Sequence, residues 1–208
     1  DEFSNYYYKR NGLNVAVTSI IPIKKDWLML GTAEGILLFD VKKECFLSDT
    51  LSSSLHGLQP AALVRQGDCI YIGTEEGVYI YTLSNGILEK LVDMPAGIRV
   101  HAILCQMFNR IWLATEGDGL YLYDMKTKEL KNYRYEDGKS GLNSNYVRSL
   151  ALDTENRLWV GTYGGLNIYK EGSDCFSSIK SSEIQEGSLS QNSVRSIFRD
   201  SVEAPDFF

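Results

Sequence analysis

The sequence predicts an all-β fold that is built from repeated four-stranded antiparallel units, and two observations support this prediction. Residues 157–169 (RLWVGTYGGLNIY) are typical of two strands joined by a tight turn, in which Gly164 and Gly165 supply the positive φ that a short reversal needs. The same pattern occurs three more times, and its equivalent small residues lie 42, 41 and 47 positions apart: Gly31, Gly73, Ala114 and Gly161. Periods of about 40–45 residues with about four strands each are typical of β-propeller blades.

The faces of these strands indicate how the units pack. In the fourth copy, Leu158 and Val160 lie on one face, and Trp159 and Gly161 lie on the other. A strand that is apolar on both faces is covered on both faces, so each hairpin is expected to lie between two neighbouring layers. Trp112 and Trp159 are predicted to be packing residues of the blades. An ordinary β-sandwich with chance internal similarity is the alternative, and the repeated spacing favours the propeller.

Taken in order, the chain is predicted to be a single propeller segment over residues 1–208. The limits of its four blades are about residues 13–50, 61–92, 99–135 and 146–180. Residues 3–10 are predicted to form a lone outer strand before the first blade. Residues 190–200 are predicted to begin the next blade with its inner strand, because they continue a repeat of the 141–150 pattern. We therefore expect about four complete blades plus part of a fifth, which are either part of a larger propeller or a truncated propeller whose ends are exposed or paired with another chain.

Composition and charge exclude several classes of function. The chain is 44% hydrophobic and 12% aromatic, which is enough apolar material for a folded core. Its net charge is −6 and it has no basic run, so no nucleic-acid partner is predicted, because phosphate binding requires clustered Lys and Arg. It has no run of about 18 apolar residues, so no segment is predicted to span a membrane.

Few residues suggest catalytic or metal chemistry. His56 and His101 are the only histidines in the sequence, and neither has a partner at the spacing of zinc ligands. No serine nucleophile elbow occurs either. The sequence therefore predicts no metal site, no cofactor and no catalytic residue. The four cysteines form no CxxC motif and are predicted to be small buried residues rather than disulfides: Cys45, Cys69, Cys105 and Cys175.

Two stretches resemble a known repeat. Residues 156–169 (NRLWVGTYGGLNIY) and 189–197 (LSQNSVRSI) are similar to the two-component regulator propeller repeat. Earlier copies depart from the pattern, with Met29 or Tyr71 at the Trp position and Ala114 at the Gly position. Each change keeps a large apolar residue beside a small one, so the packing logic of the repeat is retained.

The resemblance implies an extracytoplasmic sensor. Members of this family are sensor regions of hybrid two-component regulators, which are common in gut Bacteroides and combine propellers with a membrane helix, a histidine kinase and a response regulator. They sense breakdown products of complex polysaccharides in the periplasm. For this chain the resemblance implies a periplasmic segment that responds to an oligosaccharide and transmits to a histidine kinase outside the sequence. The implied partners are that ligand and either a homodimer partner or the remaining blades, and membrane contact is expected only through parts absent from the sequence.

Candidate ligand-binding residues follow from the geometry of a propeller. The turns between the two middle strands and the loops between blades are expected to share one rim, which here carries acids, arginines and an aromatic residue. The candidates are Glu34, Glu75, Glu76, Glu116, Asp118, Tyr163, Arg148 and Arg195. Carboxylates accept hydroxyl hydrogen bonds and aromatic faces stack on sugar rings, so this set suits a polyhydroxylated ligand. The alternatives are that the acids are solvated turn residues, that the arginines pair with them as scaffolding, and that loop asparagines only cap turns.

Two other functions remain open from the sequence. The propeller could serve as a platform for protein interaction or dimerisation. It could also be a polysaccharide lyase or hydrolase, because paired carboxylates can hydrolyse glycosidic bonds. The acids recur with the repeat, as scaffold residues do, so enzymatic activity is not predicted for this segment.

Overall fold

The computed structural model describes residues 6–7, 9–10, 13–47, 55, 57–107, 109–135, 141–184, 186 and 188–199. Within these ranges the regular structure is β-strand, apart from one short 3₁₀ helix at Glu171–Ser173. Contacts divide the chain into two compact units, which we call the N-terminal unit (Asp1–Ile103) and the C-terminal unit (Leu104–Phe208). No helix in the described ranges is long and apolar enough to cross a membrane.

In the described part of the chain, four four-stranded antiparallel sheets follow one another, and we call them blades 1 to 4. A hairpin of β1 (Lys9–Arg10) and β2 (Leu13–Asn14) precedes them. Blade 1 consists of β3 (Val17–Lys24), β4 (Trp27–Thr32), β5 (Gly35–Asp40) and β6 (Cys45–Leu47). Blade 2 consists of β7 (Ala62–Gln66), β8 (Cys69–Gly73), β9 (Gly77–Thr82) and β10 (Leu88–Asp93). Blade 3 consists of β11 (Val100–Gln106), β12 (Arg110–Thr115), β13 (Leu120–Asp124) and β14 (Leu130–Tyr133). Blade 4 consists of β15 (Val147–Leu152), β16 (Leu158–Thr162), β17 (Gly165–Lys170) and β18 (Cys175–Ile179).

A buried threonine closes the central hairpin of each blade. Its Oγ1 donates a hydrogen bond of 2.6–2.9 Å to the carbonyl oxygen of a glycine at the start of the next strand. The pairs are Thr32–Gly35, Thr74–Gly77, Thr115–Gly119 and Thr162–Gly165. These glycines have φ between 84° and 141°, which other residues rarely adopt. The recurring threonine and glycine therefore fix the position of each reversal, and the sequence period follows from this shared turn.

The core of the N-terminal unit comes from the central strands of blades 1 and 2. Met29 and Leu38 of blade 1 belong to one buried cluster with Ile70, Ile72 and Tyr81 of blade 2. Burying a side chain of this size contributes about 1.5–3 kcal/mol. The cluster extends from one sheet to the next, as expected for strands that are apolar on both faces.

The core of the C-terminal unit is centred on Trp112. This side chain is fully buried, and its Nε1 donates a hydrogen bond to Oε1 of Gln106 at 2.8 Å. Its ring lies 5.0 Å from the ring of Tyr169 and 5.8 Å from that of Tyr133, between ring centroids. Trp159 is half-buried, and its Nε1 donates to Oδ2 of Asp153 at 2.8 Å. Trp112 is therefore the deeper of the two predicted packing residues.

Tyr133, Tyr169 and Asp174 form a polar cluster between blades 3 and 4, which we call the tyrosine–aspartate cluster. Both tyrosine hydroxyls donate to Oδ1 of Asp174, at 2.6 and 2.7 Å, and Lys131 contacts its other carboxylate oxygen. Burial raises the pKa of both tyrosines above the usual value. Hydrogen bonds from Lys131 and Tyr133 lower the pKa of Asp174 to about 2. The cluster therefore holds a carboxylate against two neutral phenols.

The strand predictions for the two ends of the chain are wrong in the described residues, whereas the start of a further blade at residues 190–200 stays a prediction. Lys9–Arg10 pairs with Leu13–Asn14 as a hairpin, so residues 9–10 are not a lone outer strand. Residues 190–199 form no strand, because no neighbouring strand in the described ranges pairs with them. The backbone N–H of Val194 nevertheless donates to the carbonyl of Thr162 at 2.9 Å. Residues 3–5, 8 and 200 of the predicted strands lie outside the described residues.

The cysteines are less buried than expected. None of the four, all of which are described, forms a disulfide, and Cys45 is exposed whereas the other three are partly buried. The prediction of buried side chains is therefore wrong. Cys45 and Cys175 begin β6 and β18, which are the outermost strands of their sheets and receive less cover than the central strands. His101 is partly buried on β11, and His56 lies outside the described residues.

Candidate ligand-binding site

The acids predicted in the N-terminal unit lie in two separate turns. Glu34 lies in the central hairpin of blade 1, and Glu75 and Glu76 lie in that of blade 2. All three side chains are exposed, and Glu76 accepts a hydrogen bond from the hydroxyl of Tyr79 at 3.1 Å. These turns present carboxylates without an exposed aromatic pair beside them among the described residues, so they agree best with the alternative of solvated turn acids.

The C-terminal unit brings three of the predicted residues together with one that the sequence did not single out. Glu116, Arg148 and Tyr163 meet, and Tyr146 joins them; we call this group the Arg148 site. The rings of Tyr146 and Tyr163 lie 6.0 Å apart between centroids at an angle of 31°, and each side chain is about half exposed. The guanidinium carbon of Arg148 lies 5.4 Å from the Tyr163 ring centroid, within the range of a cation–π contact.

A β-bulge directs Arg148 toward this site. In the pairing of β15 with β16, Val147 lies opposite Thr162 and Ser149 lies opposite Gly161, so Arg148 has no partner across the sheet. Bulges re-aim side chains in this way and are enriched next to functional sites. The same bulge occurs in blade 1 at Thr18, whose Oγ1 donates to backbone carbonyls. The bulge is thus shared by blades 1 and 4, which carry Thr18 and Arg148 at this position.

The charge of Arg148 is only loosely paired. Its Nη1 lies 3.3 Å from Oε1 of Glu116, with the two side chains 31% and 54% exposed. Its Nε is buried and has no hydrogen-bond partner among the described residues. An ion pair at this exposure contributes at most about 1 kcal/mol to stability. Arg148 therefore does pair with a turn acid, as the scaffolding alternative proposed. This single contact leaves most of its guanidinium donors without a partner among the described residues.

The loop before blade 4 holds the Tyr146 backbone in place. The carbonyl oxygen of Asn145 accepts hydrogen bonds from the N–H groups of Gly117 and Gly119, at 3.2 and 2.9 Å. Its side-chain oxygen accepts from the N–H of Tyr135 at 2.7 Å. Asn145 therefore caps this loop, which agrees with the alternative that the loop asparagines cap turns. The contacts join the two turns that carry Glu116 and Tyr146, so the site is organised before any ligand arrives.

Asp118 and Arg195 do not extend the site. Oδ1 of Asp118 contacts Arg134 at 2.5 Å, and its Oδ2 accepts from the hydroxyl of Tyr121. Burial and this hydrogen bond raise the pKa of Tyr121. Asp118 is therefore engaged within blade 3. Arg195 is exposed and makes no ion pair or hydrogen bond with the described residues.

Tyr146 was missed because it lies just outside the strongest part of the repeat. Tyr146 occupies the position that Ser193 has in the next copy. The replacement of a small polar residue by an aromatic one was the sequence signal that could have identified it. Its ring also lies against the turn of blade 3, where a side chain at Gly117 would lie 3.7 Å from it. Groups of three or more His, Cys, Asp or Glu that could hold a metal ion do not occur among the described residues.

The repeat that carries the site matches a known family. Residues 141–164 match the family model described as "Two component regulator propeller", and this range includes Tyr146, Arg148 and Tyr163. The resemblance that was inferred from the sequence is thereby confirmed. The chain is an all-β segment of propeller blades that contains a two-component regulator propeller repeat.

Three known proteins show where such segments occur. The extracellular domain of BT3049 from B. thetaiotaomicron, described as a hybrid two component system, is 25% identical with a TM-score of 0.70, over 95% of this chain and 26% of that chain. The corresponding domain of BT4673 from the same organism is 26% identical with a TM-score of 0.67, over 86% of this chain and 24% of that chain. Histidine kinase P4 of Formosa agariphila is 28% identical over 143 residues, which are 65% of this chain and 10% of that protein.

These relatives are much longer than the matched segment. The chain spans about a quarter of the two solved extracellular domains and about a tenth of the histidine kinase. It is therefore similar to extracellular propeller segments of bacterial two-component signalling proteins.

Proposed function

We propose that this chain is part of the periplasmic ligand-sensing region of a hybrid two-component signalling protein, and that it binds an oligosaccharide at the Arg148 site. The observation that carries the proposal is the half-exposed pair of Tyr146 and Tyr163 beside the ion pair of Arg148 and Glu116. The similarity to extracellular domains of two-component systems supports the location, and the similarity to a histidine kinase supports the signalling role.

The chemistry of the site suits a sugar. The two tyrosine rings offer apolar faces on which the C–H face of a pyranose can stack. The carboxylate of Glu116 accepts hydrogen bonds from hydroxyl groups, and the guanidinium of Arg148 donates them. Adjacent hydroxyls of one sugar ring can therefore be bound by both residues while the ring rests on tyrosine.

Signalling requires that the ligand favours one of two states of the whole sensor. A ligand shifts such an equilibrium only by its difference in affinity for the two states. The loop that carries Tyr146 is bonded to the turn that carries Glu116, so a ligand that contacts both strengthens their mutual position. We propose that this change is passed to a histidine kinase outside the chain.

Calorimetric titration of the chain with a panel of neutral and acidic oligosaccharides tests the proposal. We expect one class to bind, and Tyr163→Ala to weaken its binding about two- to tenfold, because an aromatic contact of this kind contributes about 0.5–1.5 kcal/mol. Phe198→Ala is the matched control, since Phe198 is an exposed aromatic residue of the same unit outside the Arg148 site. Equal losses in both variants, or no binding to any member of the panel, would contradict the proposal. Mass analysis of the titrated sugars tests the alternative that the segment cleaves its ligand.

A second function is favoured by a different surface. Phe198 is 89% exposed and shares a shallow apolar depression with Ile197 and Trp159. An exposed apolar group of this kind suits contact with another protein surface. If the chain acts mainly as an interaction platform, Phe198→Ala in the full-length protein should abolish signalling, whereas Tyr163→Ala should leave it intact.

A further inference from the structure

We propose that the Arg148 site is specific for acidic sugars, with Arg148 binding the carboxylate of a uronic acid residue in place of Glu116. This inference rests on the proposed function, because it names the class of oligosaccharide that the same site would take.

The first argument is the weakness of the existing ion pair. Three arginines of the C-terminal unit form short contacts with acids, at 2.5 Å for Arg134, 2.6 Å for Arg110 and 2.7 Å for Arg157. The contact of Arg148 with Glu116 is 3.3 Å and joins one nitrogen to one oxygen. Among the described ion pairs of this unit it is the longest, so Arg148 has the least satisfied guanidinium charge of the four arginines that pair with an acid.

The second argument is the orientation of the guanidinium. The guanidinium carbon of Arg148 lies 5.4 Å from the Tyr163 ring centroid, so its donors lie beside this ring. Its Nε is buried and has no hydrogen-bond partner among the described residues, and Glu116 engages a single terminal nitrogen. Arginine forks bind carboxylates with two parallel hydrogen bonds, which are about twice as strong as neutral ones. A planar carboxylate on a ring that stacks on tyrosine matches this arrangement.

The third argument is that a ligand carboxylate can displace Glu116 from Arg148. Its side chain is 54% exposed, so its carboxylate can be solvated once a ligand carboxylate takes its position. The neighbouring acid Asp118 is held by Arg134 and Tyr121, so it does not compete for Arg148. The chain as a whole carries a charge of −6, so its net charge does not attract an acidic ligand, and Arg148 supplies the positive charge at this site.

Glu116 provides a test whose sign depends on the ligand. A neutral sugar would use Glu116 as a hydrogen-bond acceptor, so Glu116→Gln would weaken its binding. An acidic sugar competes with Glu116 for Arg148 and is repelled by its charge, so the same substitution would strengthen binding. The proposal therefore predicts opposite effects for two ligands of the same size.

The experiment is calorimetric titration of the chain with oligosaccharides of galacturonic, glucuronic and mannuronic acid, each compared with its methyl ester and with neutral oligosaccharides. The ester removes the charge and keeps the ring. We expect at least one acid to bind about ten- to a hundredfold more tightly than its ester, the range of a charged hydrogen bond. Arg148→Met should remove this preference, and Glu116→Gln should increase affinity for the acid.

Arg110→Met is the matched control. The side chain of Arg110 is 30% exposed and paired with Glu171, much as that of Arg148 is 31% exposed and paired with Glu116, but it lies at the opposite end of β12 from the central hairpin turn. It should leave binding unchanged. Equal binding of acid and ester, or binding of neutral sugars alone, would overturn the preference for acids while the proposed function stands. Absence of binding to every sugar would overturn both.

Discussion

Replacing Asp174 with asparagine tests the tyrosine–aspartate cluster, because it removes the charge while an oxygen remains for Tyr133 and Tyr169. Asparagine also tolerates the left-handed backbone of this position, where φ is 51°. The lowering of the Asp174 pKa from 3.8 to about 2 corresponds to at most about 2.5 kcal/mol. Because the side chain is 44% exposed, solvent screening reduces the expected loss to about 1 kcal/mol.

The pH dependence of this loss has a definite sign. The pKa of Asp174 is lower in the folded state, so its contribution to stability is present above pH 3.8 and is lost as the pH falls toward 2. Urea unfolding followed by tryptophan fluorescence should therefore show Asp174→Asn to be less stable than the parent at pH 7 and nearly equal to it near pH 2. Glu89→Gln, at an exposed acid of β10, is the control and should show no such difference. A loss that is the same at both pH values would refute the reasoning.

Two further substitutions test the repeat itself. Gly161→Ala places a methyl group 2.8 Å from Cγ1 of Val194 and should cost about 1–3 kcal/mol by overpacking, seen as a lower Tm; Gly172→Ala, with open space around it, is the control and should leave Tm nearly unchanged. Thr162→Val removes the hydrogen bond to the carbonyl of Gly165 in the blade 4 hairpin and should cost about 1–2 kcal/mol in urea unfolding, and an unchanged midpoint would show that the hydroxyl does not stabilise the turn.

The blades could be predicted from the sequence because their determinants are local. The buried Thr162 and the positive φ of Gly165 act within one hairpin, and the same pair recurs in every copy. Residues 9–10 and 190–199 could not be predicted in this way, because a strand exists only with a neighbour. The partner of β1 is the adjacent strand β2, which the repeat pattern did not include, and the repeated pattern at residues 190–199 does not establish that a partner strand is in place.

The candidate site was predictable only in part. Glu116, Arg148 and Tyr163 were predicted on one rim, and the structure brings these three together. The bulge that aims Arg148 depends on the register between β15 and β16, which a single strand does not reveal. Asp118 looked equivalent to Glu116 in sequence, and its contacts with Arg134 and Tyr121 separate the two.

The bulge shared by blades 1 and 4 has an evolutionary consequence. At one backbone position the chain carries either Thr18, whose hydroxyl is tied to its own main chain, or Arg148, whose charge reaches Glu116. Because this residue has no partner across the sheet, a substitution there changes the side chain that a ligand contacts and leaves the pairing of the strands unchanged. Duplicated blades that keep the bulge can therefore diverge at this position, and single codon changes there can alter ligand specificity during evolution.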